Sequence, residues 1–342
     1  MALSGCRDNN AFNVISLEGM PHKLGMSREK FPMFFVCTNN SSGMIQNSIR
    51  ELLSVEYNVE CQVVENDGDT VEDMFAIITL RTLEKHLQIY FIDIFLMMLK
   101  KLPYEPSQRE LSVEIEKLVT IFSALTNPPR KKIQGLWAEL LIIERSKYPE
   151  VLINAWHTVT SSKYDFTMGR DKIEVKSTSS ETRIHKFSLD QLNPSPNSRL
   201  LIASTIVRES GKCANGLSIK GLYDKITAKL SSIEAKLQLY KVIAETIGSD
   251  IVKLEDIYFD YITASDLLKF YDYQYIPRIS KDSVPNDVTE VKFSSNLTSI
   301  EDIQDPNSDF DPDNSPLFKC LCKLPLFVSF PFLGQSIIRL VS

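Results

Sequence analysis

A chain of 342 residues, 43% hydrophobic and 24% charged, is long enough for one large or two medium domains with proper cores. Its formal net charge of −6 argues at first against a nucleic-acid partner. Six scattered cysteines and four histidines give no zinc-site spacing beyond the close pair Cys320-Leu-Cys322, which suits a reduced, cytoplasmic protein without structural zinc.

The charge is unevenly spread. Between Asp282 and Asn314 nine acidic residues stand against one lysine, Lys292, so that segment carries −8 and the rest of the chain +2. Between Lys163 and Lys212 nine Lys and Arg outnumber six Asp and Glu. The polar stretch Met1–Asn13 has no signal-peptide core. The longest apolar run, Ile89–Leu99, is interrupted by Asp93 and is too short to span a bilayer. No membrane partner is expected.

In chain order, residues 1–128 read as a smaller α+β domain, a scaffold or DNA-recognition unit. Phe31–Cys37, Tyr57–Val64 and Met74–Leu80 have strand character, and Met44–Val55 reads as helical. Thr82 is expected to cap a helix over Leu83–Lys101, with its stripe at Leu87, Tyr90, Phe91, Ile94, Phe95, Met98 and Leu99. A second helix is expected over Ser107–Leu125. Asn127-Pro-Pro129 then opens a second domain over residues 129–300. Its first helix, Lys131–Lys147, turns Leu136, Leu140 and Ile143 inward and carries Glu139 on or beside that face, where an acid needs a polar partner.

The hairpin Lys163–Thr178 carries the chemistry. Ile173 and Val175 favour extended structure, and Gly169 suits the first central position of a two-residue type II′ turn with Arg170. That turn, or a four-residue loop with the same centre, sets Asp165 directly opposite Glu174. Lys176 lies two residues on, on the same face. Facing carboxylates repel unless a cation sits between them, and an oxygen site of this kind suits Mg²⁺. Alternatively, Glu174 and Lys176 form the polar face of an edge strand. Arg183, His185 and Lys186 could follow DNA phosphates or be surface groups.

Downstream, Ser188 should cap a short helix, Leu189–Leu192, and Arg199–Val207 reads as a central strand buried on both faces. Two helices follow over Ser218–Ile247, with a break near Leu230–Ile233. Tyr258–Thr263 reads as a strand, and Tyr271–Ile276 and Val288–Phe293 as a terminal pair of strands. Residues 301–342 read as an acidic linker and an apolar tail packing against the body. Asp309-Phe-Asp311-Pro-Asp313 lacks the glycine and glutamate of a calcium loop.

The order helix-Glu139, strand-Asp165, turn, strand-Glu174-x-Lys176, helix, strand resembles the PD-(D/E)XK nuclease superfamily. More narrowly it resembles a bacterial family of PD-(D/E)XK proteins found near restriction and phage-defence genes. The resemblance rests on Gly135-Leu-x-x-Glu139-Leu, Asp165-Phe, Ile173-Glu-Val-Lys176-Ser-Thr, Ser188-Leu-x-Gln191-Leu and Tyr275-x-Pro277-Arg278. Tyr164 stands where the pattern has proline.

This resemblance implies an α+β, restriction-endonuclease-like core with a mixed central sheet flanked by helices. It implies a Mg²⁺-dependent DNA endonuclease in which Mn²⁺ can substitute. Asp165, Glu174 and the Val175 carbonyl would hold the metal, Lys176 would orient the attacking water, and Glu139 would hold a metal-bound water or a second metal. Gln191 would be the auxiliary polar residue near the phosphate. The implied partners are double-stranded DNA, a methyltransferase or ATPase from the same locus, and a second copy of the chain for two-strand cleavage. A non-catalytic DNA-binding or assembly subunit, and a repair nuclease acting on structured DNA, are the competing readings.

Overall fold

The computed structural model describes residues 12–39, 46–50, 52–64, 70–129, 132–156, 162–306, 310 and 315–321. Among the described residues the first elements are strands β1 (Val14–Ser16), β2 (Lys23–Met26), β3 (Pro32–Cys37), β4 (Ser48–Ile49), β5 (Leu53–Val64) and β6 (Thr70–Leu80). Helices α1 (Lys85–Leu99), α2 (Gln108–Ala124), α3 (Ile133–Arg145) and α4 (Pro149–Ala155) follow. Next come β7 (Phe166–Met168), β8 (Asp171–Thr178), β9 (Ile184–Ser188), α5 (Leu189–Leu192), β10 (Arg199–Ile206) and β11 (Gly216–Ser218). The remaining elements are α6 (Ile219–Lys229), α7 (Ile233–Ile247), β12 (Tyr258–Asp260), α8 (Tyr261–Asp266), β13 (Lys269–Asp272), β14 (Lys292–Asn296) and α9 (Pro316–Lys319). The fold is α+β. Two compact units form, one from residues 1–136 and 227–256, the other from 137–226 and 257–342.

The first unit holds an antiparallel sheet in the order β1-β2-β3-β6-β5-β4. Every residue of β3 is buried, as a strand covered on both faces requires. Phe34 on one face meets Phe91 and Phe95 of α1, at centroid distances of 5.4 and 4.6 Å. Phe35 on the other face packs with Met33, Cys37, Phe75 and Ile77. The expected α1 stripe is buried from Tyr90 to Leu99, and Tyr90 meets Tyr240 of α7 edge-on. Thus α7, although distant in sequence, belongs with α1 and α2 and not with the segments that flank it.

Two expectations fail in this unit. The described part of Met44–Val55 is extended, not helical: Leu53, Val55 and Tyr57 are buried at the two-residue period of a strand, and β5 pairs with β6. Thr82 is not the cap of α1. Its hydroxyl accepts the Glu84 N–H at 3.2 Å, and Glu84 occupies the N-cap without a side-chain bond. Ser107 does cap α2, in a reciprocal box with Glu110.

The second unit is built on the mixed sheet β13-β10-β8-β7, with β10 parallel to β8 and antiparallel to β13. The expected central strand is β10, buried from Leu200 to Ile206. The strand expected over Tyr258–Thr263 ends at Asp260, whose carboxylate accepts the Thr263 N–H at 3.0 Å and caps α8. Tyr271–Ile276 and Val288–Phe293 do not pair. The chain leaves β13 at Asp272, whose carboxylate accepts the Gln274 N–H and starts a 3₁₀ turn over Tyr273–Tyr275, while β14 pairs with β9. Tyr271 is therefore core and Tyr275 is 74% exposed.

Part of the segment read as linker and tail is core. Leu317, Phe318, Cys320 and Leu321 are buried, the Lys147 N–H donates to the Cys320 carbonyl, and Ser315 donates to Asp171. Asp309, Asp311 and Asp313 of the calcium-like stretch, and Leu324–Val341, lie outside the described residues. Among the described residues no helix is long and apolar enough to cross a membrane.

Candidate functional site

The hairpin adopts the register that the turn dictates. Gly169 has φ +59° while Arg170 keeps a negative φ, the combination of a type II′ turn. The pairs are Met168 with Asp171, Thr167 with Lys172 and Phe166 with Ile173. One further step places Asp165 opposite Glu174. Asp165 sits just before β7, and its Oδ2 accepts the Val175 N–H at 2.8 Å, which holds the carboxylate against β8. Both acids are buried, at 8% and 4% exposure.

Glu174 is gripped from two sides. Its Oε1 accepts from Lys176 Nζ at 2.6 Å and from Gln191 Nε2 at 2.7 Å. Gln191 also accepts from Lys176 at 3.4 Å and donates to the Lys163 carbonyl at 3.2 Å. It is fixed by a capping box with Ser188, so the cap that starts α5 also presents the amide to the site. Lys176 Nζ lies 4.9 Å from the centroid of the Phe187 ring. Glu174 and Lys176 share their sheet face with Leu200 and Ile202, part of an apolar floor with Tyr164, Phe187, Leu192 and Tyr271.

Tyr164 takes the place of proline with a structural role. Its hydroxyl donates to the carbonyls of Asp190 and Gln191 at 3.4 and 3.3 Å, tying the entry of β7 to α5. Burial, and then the nearby Glu174 carboxylate, push its ionisation upward, so it stays a neutral donor.

Glu139 is buried, as its place beside the apolar face required, and the sequence did not reveal its partner. Trp156 Nε1 donates to Glu139 Oε2 at 2.8 Å. Trp156 stacks on Phe166 at 6.1 Å and bridges to it through the main chain. Phe166 and Ile173 occupy the face opposite Glu174, so Glu139 reaches the hairpin through the indole. The signal for Trp156 was chemical: a buried indole N–H needs an acceptor.

Among the described residues no group of three or more His, Cys, Asp or Glu is set to hold a metal ion. What the hairpin offers is the buried Asp165–Glu174 pair, with the Lys176 ammonium on Glu174, together with the Val175 main chain. A Mg²⁺ ion is usually bound by one or two carboxylates and completes its shell with water and substrate phosphates, so this donor set fits it.

Arg183 and His185 are neither surface groups nor free for DNA, being 5% and 3% exposed; Lys186 is exposed. Arg183 donates to the carbonyl and hydroxyl of Ser204 and to the Leu267 carbonyl. The Ser204 hydroxyl oxygen, which accepts from Arg183, also shares a hydrogen bond with His185 Nε2, 2.8 Å away. Ser204 is the cross-strand neighbour of Lys176, so this chain braces the site from β9 and β10.

Burial, followed by the charges of Lys176 and Arg183, lowers the His185 pKa from 6.5 to about 4. A group depressed in this way contributes stability that is present above pH 6.5 and lost as the pH falls through 4. Urea unfolding across that window should show His185→Asn with a shallower loss of stability than wild type, by up to about one proton. Identical slopes would contradict the assignment.

No curated protein and no solved structure matches the chain significantly. A family model does match, over residues 23–298, under the description "Putative PD-(D/E)XK family member, (DUF4420)". The match takes in α3, the hairpin and α5, and it begins at β2, so strands β2–β6 of the first unit's sheet lie inside it and β1 outside. With most of its length matched and the hairpin inside the match, the chain belongs to this PD-(D/E)XK family, DUF4420.

Proposed function

We propose that the protein is a metal-dependent deoxyribonuclease that hydrolyses phosphodiester bonds in duplex DNA, in a restriction or phage-defence setting. Mg²⁺ is the proposed metal, with Mn²⁺ able to substitute. The observation that carries the reading is the cluster of buried Glu174 with half-buried Lys176 and Gln191, with Asp165 held beside it by the Val175 amide.

Asp165 and Glu174 hold the cation, and the Val175 carbonyl supplies a further oxygen. When bound, the cation polarises water and the phosphoryl oxygen. Lys176 orients the attacking water and stabilises negative charge growing on the phosphate. Its ammonium acts beside the Phe187 ring and the apolar floor, where a charge is screened less than in water. Gln191 contacts both Glu174 and Lys176 and keeps them in register. Glu139, through Trp156 and Phe166, steadies the start of β7, next to Asp165.

The test is cleavage of unmodified duplex DNA by wild type and Lys176→Ala, side by side. Wild type should cut with Mg²⁺ and not with EDTA. The folded variant should be slower by about 10²–10³-fold, the usual loss for one donor to a developing oxyanion. Equal cutting by the two would overturn the reading.

A further inference from the structure

Two lysines at the edge of the cluster point their charges at one carboxylate. Lys163 Nζ lies 3.7 Å and Lys281 Nζ 3.8 Å from the same atom, Asp190 Oδ1. All three side chains are at least half exposed, so neither contact is a strong ion pair. The main chains beneath them are fixed. The Lys163 carbonyl accepts from Gln191 Nε2, and the Lys281 N–H donates to Asn193 Oδ1. Asn193 also donates to the carbonyls of Ile279 and Leu189, stitching the 279–281 loop to α5.

The neighbouring cations are differently used. Arg278 lies over the Tyr273 ring and donates to the carbonyls of Tyr273 and Gln274. Lys172 donates to the carbonyls of Gly169 and Arg170 at the hairpin turn. Lys163 and Lys281 instead have anchored backbones, exposed ammonium ends and a weakly held anion between them. That anion belongs to the residue next to Gln191.

We propose that Lys163 and Lys281 form a phosphate clamp for the DNA strand entering the site, with Asp190 as the resident anion that a backbone phosphate displaces. This rests on the nuclease reading and names the contact that seats its substrate. A phosphate bridging two lysines has the charge and the reach to replace one carboxylate at a rim, and each such contact releases counterions from the duplex.

The test is binding, measured without metal, so that it is independent of cleavage. A fluorescently labelled duplex is titrated in EDTA across a KCl series with wild type, Lys163→Ala/Lys281→Ala, Lys163→Arg/Lys281→Arg and Asp190→Asn. The alanine pair should reduce the slope of log affinity against log salt by about two. The arginine pair should keep the wild-type slope, and Asp190→Asn should bind severalfold more tightly at low salt. Inorganic phosphate at matched ionic strength should displace no more duplex than KCl does.

An unchanged slope in the alanine pair, or no gain in Asp190→Asn, overturns the clamp alone, and Lys176-dependent cleavage still stands. Selective displacement by phosphate overturns the assignment to the DNA backbone. If wild type binds no duplex at any salt, the clamp and the nuclease reading fall together.

Discussion

Asp165→Asn should lose at least about 10³-fold in Mg²⁺-dependent DNA cleavage, more than the 10–100-fold usual for a residue that only orients a metal ligand. The substitution keeps the shape of the side chain and an oxygen to accept the Val175 N–H, so the hairpin should hold its register. What it removes is a charge: one of two buried carboxylates beside the Lys176 ammonium. A melting temperature close to wild type, with cleavage gone, separates the chemistry from the fold. Cleavage within tenfold of wild type would show that Asp165 is an ordinary strand-end residue.

The second large effect lies far along the chain. Phe318→Ala should cost about 3–5 kcal/mol in unfolding free energy, the range for emptying a buried aromatic site. For a unit of this size that lowers Tm by on the order of 10 °C. Phe318 is fully buried, and the Arg199 guanidinium lies 5.1 Å from its ring centroid. Arg199 in turn donates to both oxygens of Asp171, at 2.7 and 2.9 Å, and Ser315 adds a third bond.

Burial pushes the Asp171 carboxyl upward, but the bonds from Arg199 and Ser315 outweigh it and hold the pKa below the usual value. Asp171 closes the turn of the hairpin. Helix α9 thus secures the hairpin at its turn, and calorimetry of the variant measures how firmly. A Tm unchanged by Phe318→Ala would mean that α9 is dispensable to the unit.

The parts of this fold legible in the sequence are those fixed by short-range rules. Gly169 determined the turn, the turn determined the register, and the register paired Asp165 with Glu174. Ser188 with Gln191 three residues on spelled a capping box, and that box delivers Gln191 to Glu174. Long-range pairing was not legible. Nothing in α7 announces that it packs on α1 and α2, and the acidic run before α9 disguised a helix whose apolar residues belong to the core.

Residue type misled in and just before β9, where His185 and Arg183 look like surface groups. Their burial depends on carbonyls and a hydroxyl supplied by β10 and by Leu267, which no local pattern shows. Glu139 was legible as an acid in need of a partner, but the partner was not. Trp156 follows a helix, α4, that the sequence did not suggest.

If the proposed chemistry is right, the hairpin takes up one hard divalent cation between Asp165 and Glu174. Electron paramagnetic resonance of Mn²⁺ titrated into the protein with a bound duplex tests it most directly, because the signal of free Mn²⁺ disappears on binding. Wild type should take up one ion per chain in competition with Mg²⁺, and the Asp165→Asn/Glu174→Gln variant should lose that site while still binding the duplex. Undiminished Mn²⁺ uptake by the double variant would contradict the account.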